Sequence, residues 1–343
     1  MAAHAGRPSF RRAAEIAISS GLLAASLWKV NLARLWQALS SGNYYWLLPS
    51  AAAVFALLLL KAWRWRLLYY PGFRLPFASL LTALSAGFFV SNILPARLGE
   101  VTRLFLISGE QQVGMGRSVS SILIEHLLDL ATLLAILAAL ALAGDLPAIL
   151  SQSARMVAIL AAAGIAVTMF LSLSQGRTLS AINWALRYVR FLDRRAVRAF
   201  TAHLVDGFTV MHTRFALPIL AFSFLGWSLV VAAAWSSAQA LGLDVPFVAI
   251  VVAVIATTLG MVVPSSPGYI GVFHYLAVIS MTAFGVDRDK SMAFAILWHA
   301  VNYLTLSISG FALLCIRGVS IGSISRAGVE AVAERLERGK GAA

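Results

Sequence analysis

Charge is what this sequence has least of. Only 12% of its 343 residues are Asp, Glu, Lys or Arg, against 60% hydrophobic, and a soluble globular domain carries about twice that charged share. Such a chain cannot cover a water-facing surface, which excludes a soluble enzyme or binding module. Cysteine is nearly absent as well. Cys315 stands alone, so neither an intrachain disulfide nor a cysteine-based metal centre can form, and packing within an apolar stretch is its expected role. The sequence has no P-loop, Rossmann fingerprint, HExxH or GxSxG, which removes ATP-driven transport and the familiar hydrolases and implies no cofactor.

What the chain has instead is long apolar runs, at 13–30, 46–63, 77–94, 118–143, 155–173, 216–241, 247–284 and 291–316. A helix needs about 20 residues to cross a bilayer, so the fold class is an all-α polytopic membrane protein. The first run follows the basic "RPSFRR" but has no small-residue cleavage site before Trp28 and Lys29, and it reads as a retained helix rather than a signal peptide. The net charge of +13 is spread between the runs. It therefore argues for orientation in the membrane and against nucleic acid as a partner.

With the N-terminus inside, most of the 27 basic residues fall on the inner side: Arg7, Arg11 and Arg12, the group from Lys61 to Arg74, Arg117, the group from Arg177 to Arg214, and the tail from Arg317 to Lys340. Both termini are then cytoplasmic and the location is a cell inner (plasma) membrane. This scheme requires 77–117 and 247–284 to enter and leave on one side each. Both break at a Pro/Gly cluster, "ILPARLGE" and "VVPSSPGYIG". Proline removes a backbone donor, and broken backbone at membrane depth is tolerated where protein or a wet cavity surrounds it. The expectation is about six spanning helices plus two oppositely oriented re-entrant hairpins, an inverted pair of the kind that marks transporter binding sites. Eight kinked crossings are the alternative. Residues 1–316 form the transmembrane domain, within which 178–214 reads as a cytoplasmic amphipathic segment or a plain basic loop, and 317–343 form a short basic tail.

An ionisable residue at a helix centre costs about 2.5 to 3.5 kcal/mol on the insertion scale, so it is usually paired or functional. Glu125 and Asp129 are four apart and share a face of the fourth run. Two like charges there need a cation between them. Arg97 and Arg103, beside Glu100, are the expected partners, the other arginines being assigned to loops. The second hairpin offers Ser265, Ser266, Gly268, Tyr269, Gly271 and His274, whose backbone donors suit a phosphate, although glycine also serves close packing. In the last run His299 and Asn302 share a face and join Glu125 and Asp129 as candidate members of a charge network. A divalent metal on Glu125 and Asp129 lacks further oxygen ligands, so no metal is expected. An intramembrane enzyme built on Glu125, Asp129 and His299 lacks a nucleophile, so no enzymatic activity is expected.

"NILPARLGEVTRLFLI" followed by "PSSPGYIGVFHY" resembles a flippase-like membrane protein family, of the UPF0104 type, whose domain also forms the N-terminal membrane part of lysylphosphatidylglycerol synthases. The likeness runs over about residues 13 to 316. Its first motif is matched at Asn92, Pro95, Arg97, Gly99, Glu100 and Arg103. The second departs from many relatives, which carry a glutamate after the last glycine where this chain reads "GVFHY" with His274. Residues 317–343 are too short for the soluble aminoacyl transferase domain of bifunctional relatives. The resemblance implies movement of a lipid with a phosphate-containing headgroup between leaflets, with Arg97 or Arg103 pairing with the phosphate. The rival expectation is a membrane partner that binds lipid or scaffolds a lipid-modifying enzyme. A second copy of the chain or such an enzyme are the protein partners it suggests.

Overall fold

A computed structural model describes residues 10–70, 72–94, 98–110, 113–144, 210, 213–262 and 265–318. The run at 155–173, nearly all of the segment 178–214, the tail beyond Gly318, and Pro95 and Arg97 lie outside the described residues. Ten α-helices and no strand occur among those described: α1 (Phe10–Leu27), α2 (Leu32–Ser40), α3 (Leu47–Leu68), α4 (Phe77–Ile93), α5 (Leu98–Glu110), α6 (Met115–Ala143), α7 (Ala216–Ala240), α8 (Phe247–Gly260), α9 (Val272–Ala283) and α10 (Arg288–Ile316).

Four of the helices, α3 with the 3₁₀ turn before it, α6, α7 and α10, are long and apolar enough to cross a membrane, and α1 with α2 makes a fifth span if that pair, bent by 84°, is taken as one. The chain is a multi-pass membrane protein. Its long helices are little buried: between 17% and 33% of each apolar window is covered by protein, which leaves the rest for lipid. The shorter apolar helices α4 and α8 are the reverse. Ten of the 17 residues of α4 and eight of the 14 of α8 are buried. At 1.5 Å per residue they reach about 25 and 21 Å, short of the roughly 30 Å hydrocarbon core.

Both short helices lead into hairpins. A side chain at Gly87 would strike Arg103 Cγ at 2.5 Å and the Gly99 carbonyl at 2.9 Å, and one at Gly260 would strike Leu276. Sixteen residues of straight helix would put about 24 Å between the members of each pair, so in both cases the chain turns back and the two arms lie side by side. At Gly87 the opposing backbone itself comes within 2.9 Å of the place of a Cβ, so glycine is required there, whereas at Gly260 the obstacle is the tip of the Leu276 side chain.

The described chain divides into two compact units. The first, from Met1–Val54, Ser91–Leu98 and Val230–Thr305, contains all of α1, α2, α8 and α9. There α9 packs on both α8 and α1, and the Gly271 position lies against the Ser19 carbonyl with φ +96°. The tip of the first hairpin belongs to this unit, where Asn92 Nδ2 donates to the Tyr303 carbonyl at 3.3 Å. The second unit takes Phe55–Val90, Gly99–Leu229 and Leu306–Ala343. Its core centres on Leu58, Trp65, Leu68, Leu80, Ile107 and Ile124.

Two expectations change. Lys61 and Arg64, assigned to a loop from the sequence, lie inside α3, because the helix runs on through Trp63, Trp65 and Leu67 to Leu68. Cys315 is exposed rather than packed.

Candidate functional site

The second unit gathers its charges at one place. Residues 61, 64 and 65 lie on one face of α3, spaced three and four apart. Glu125 and Asp129 lie on α6, whose buried face also carries Ser118, Ser121 and Thr132, the polar-in arrangement expected where lipid surrounds the helix. Arg103 comes from α5, its stem crossing α4 at Gly87.

Five ionised groups interlock. Lys61 Nζ lies 3.3 Å from Glu125 Oε1 and 3.0 Å from Asp129 Oδ2. Arg64 approaches the same two carboxylates at 3.4 and 2.6 Å, and its Nη1 also donates to Ser223 Oγ on α7 at 2.9 Å. Arg103 Nη2 donates to Glu125 Oε2 at 2.7 Å. The guanidinium of Arg103 also lies 4.3 Å from the Trp65 ring centre, a cation–π contact, and the indole donates to Ser121 Oγ at 2.9 Å.

The expected pairing of Glu125 with an arginine of the first hairpin is present as the Arg103 bridge. Lys61 and Arg64 are the partners that sequence reasoning missed. A usable signal existed: two cations three apart in one apolar run match two carboxylates four apart in another. Glu100 has its Oε1 3.2 Å from His126 Nε2 near the surface.

Among the described residues the set is short of negative charge and of acceptors. Three cations face two carboxylates, and Arg103 Nε and Arg64 Nη2 are buried without a hydrogen-bond acceptor. Arg64 Nη2 is within ionic reach of Glu125 but lacks hydrogen-bond geometry. The side chains of Arg64 and Glu125 are 3% and 4% exposed, whereas Lys61 and Asp129 are 19% and 15% exposed, so the set is open at its Lys61 edge.

The remaining candidates assemble in the first unit. Pro267–Tyr269 form a 3₁₀ turn, with Gly268 at φ +67° and Tyr269 at φ +59°. His299 Nε2 lies 2.8 Å from the Gly268 carbonyl, and the His274 and His299 rings are 4.8 Å apart. A side chain at Gly268 would meet the Tyr303 ring at 2.9 Å and the Asn92 carbonyl at 3.5 Å. The tips of the two hairpins therefore touch within this unit. Ser266 N donates to Ser19 Oγ at 2.6 Å, so this amide is already used. Ser265 Oγ and His274 Nδ1 are buried without a partner. Asn302 bonds its own helix at the Trp298 carbonyl. The candidate network of Glu125, Asp129, His299 and Asn302 thus splits: the carboxylates keep their cations in the second unit, and the other two have separate partners in the first. Asn92 and the second-hairpin residues likewise belong to the first unit, and Gly99, Glu100 and Arg103 to the second.

Against known proteins, the family described as the lysylphosphatidylglycerol synthase TM region matches residues 12–310. The chain belongs to that family. A UPF0104 membrane protein of Methanocaldococcus jannaschii is 22% identical over 228 residues, which cover 65% of this chain and 91% of the relative. No solved structure matches. The matched range, 12–310, takes in both hairpins and all five interlocked charges of this chain.

Proposed function

We propose that this chain carries a phosphate-bearing lipid between the leaflets of a bacterial-type inner membrane, with both termini cytoplasmic. The supporting observation is the surplus positive charge of the Lys61, Arg64, Arg103, Glu125, Asp129 set within helices that otherwise face lipid. A buried charge without a counter-charge is costly, and one more anion relieves it. A headgroup phosphate arriving at Lys61 takes that ammonium from Asp129, while Arg64 and Arg103 hold the two carboxylates in place. The acyl tails stay in the bilayer, and the re-entrant hairpins supply the break in the wall that a headgroup needs to pass. The near-complete burial of Arg64 and Glu125 favours the rival reading, a sealed network in a non-transporting partner.

Vesicles carrying a fluorescent phospholipid, with a membrane-impermeant quencher outside, separate the two. Wild type should expose inner-leaflet probe at least about tenfold faster than protein-free vesicles, and Lys61→Gln should return the rate to background. The same variant should fold as stably as wild type, since it leaves two cations on two carboxylates. Probe movement no faster in wild-type vesicles than in empty ones would sink the transport reading.

A further inference from the structure

The first unit contains a groove that neither the charged set nor the hairpin tips use. It has a volume of about 390 Å³ and is walled by Ala24, Ala25 and Trp28 from the end of α1, Tyr275 and Ile279 of α9, and Arg288 at the start of α10, in the lower size range of ligand sites. Its walls are mostly apolar, and Arg288 is the one charged residue among them. That guanidinium is anchored by Nη2, which donates to the Ala25 carbonyl at 2.7 Å, while its Nε is buried without an acceptor. Among the described residues no carboxylate comes within ion-pair distance. An arginine has five N–H donors, so the groove holds a fixed cation with donors to spare.

The surroundings set the depth of the groove in the membrane. Just past it the chain turns through Lys29, at φ +63°, and α2 leaves at 84° to α1. If α1 crosses the bilayer, α2 runs along its surface. The side chains of α2 fit that placement: Leu35 faces protein, Leu32 and Trp36 are 70% and 71% exposed, and Tyr44, Tyr45 and Trp46 follow, all exposed. Exposed Trp and Tyr collect at headgroup level. The Asn31 amide donates to Asp289 Oδ1 at 2.7 Å, which ties the start of α10, and with it Arg288, to the same level.

We propose that this groove is a glycerophospholipid site, with the lipid phosphate on Arg288 and one acyl chain along Ala24, Ala25 and Ile279. A mostly apolar trough with a single fixed cation at headgroup depth suits a lipid anion better than a soluble one, because the chain contributes the burial and the phosphate the charge pairing. The site shares no residue with the Lys61 set and does not depend on transport.

Native mass spectrometry of the detergent-purified protein, titrated with phosphatidylglycerol and separately with diacylglycerol of the same chains, tests it. Wild type should retain one phosphatidylglycerol at least about tenfold more tightly than diacylglycerol. Arg288→Gln should lose most of that preference. Ala24→Phe, at an exposed position, should block both lipids, and thermal unfolding of both variants should match wild type. Lys61→Gln should leave this adduct unchanged even if it abolishes lipid movement. Equal retention of the two lipids, an adduct unaffected by both groove variants, or one removed by Lys61→Gln would each overturn the assignment.

Discussion

Exchanging Glu125 for glutamine puts the buried charge set to its sharpest test. Glu125 accepts from Arg103 at 2.7 Å and lies 3.3 and 3.4 Å from Lys61 and Arg64, so the substitution leaves three cations facing Asp129 alone. Removing one member of a buried ionic group costs about 3 to 5 kcal/mol, because the others stay buried and uncompensated. On the scale of soluble domains this lowers the melting temperature by about 10 °C. The neutral amide has nearly the shape of the carboxylate, so the loss is electrostatic rather than steric. The partner experiment is the double variant Glu125→Gln with Arg103→Gln, which returns the set to its original surplus of one. It should recover at least half the loss, and the double-mutant cycle should give a coupling of about 1.5 kcal/mol or more. Thermal unfolding in a single detergent at fixed salt reads all four corners. A Glu125→Gln loss below about 1 kcal/mol, or a double variant equal to the sum of the singles, would refute the account of a short-handed buried set.

Three further outcomes follow from named contacts. Gly87→Ala places a methyl where Arg103 Cγ passes and should cost about 1 to 3 kcal/mol by overpacking, with Arg103→Ala in the same chain restoring part of it in the same melt. Gly271→Ala combines φ +96° with a collision against the Ser19 carbonyl. It should destabilise the first unit by at least about 2 kcal/mol, seen as raised amide hydrogen exchange in 272–283. Arg103→Lys keeps the charge but gives up the planar fork that donates to Glu125 while lying on Trp65, so it should lower stability by about 1 to 2 kcal/mol and shift the tryptophan emission. An unchanged spectrum would count against the stacked geometry.

Much of the architecture was legible along the chain. Within the described residues each apolar run holds a helix, and the Pro/Gly clusters after Ile93 and Val262 marked where helices stop, because proline and a positive-φ glycine cannot continue one. The spacing of Glu125 and Asp129 demanded a cation, and Arg103 supplied part of it. Lys61 and Arg64 escaped because a charge near the end of an apolar run reads as the start of a loop. Only the continuation of α3 through Trp65 to Leu68 carries them back into the helical bundle.

The sequence by itself determined that this protein lives in a membrane and that its apolar stretches break at two Pro/Gly clusters. These follow from composition and backbone chemistry, which act locally. Tertiary structure decided which apolar helices form the core: α4 and α8 are buried and the longer α3, α6, α7 and α10 are largely bare. Lipid and protein interior are equally apolar, so hydropathy cannot tell a helix facing one from a helix facing the other. Tertiary structure also brought residues from α3, α5 and α6 into one ionic set and placed the Asn92 carbonyl against Gly268 of the second hairpin. Both depend on contacts between segments far apart in the chain, which local spacing does not encode.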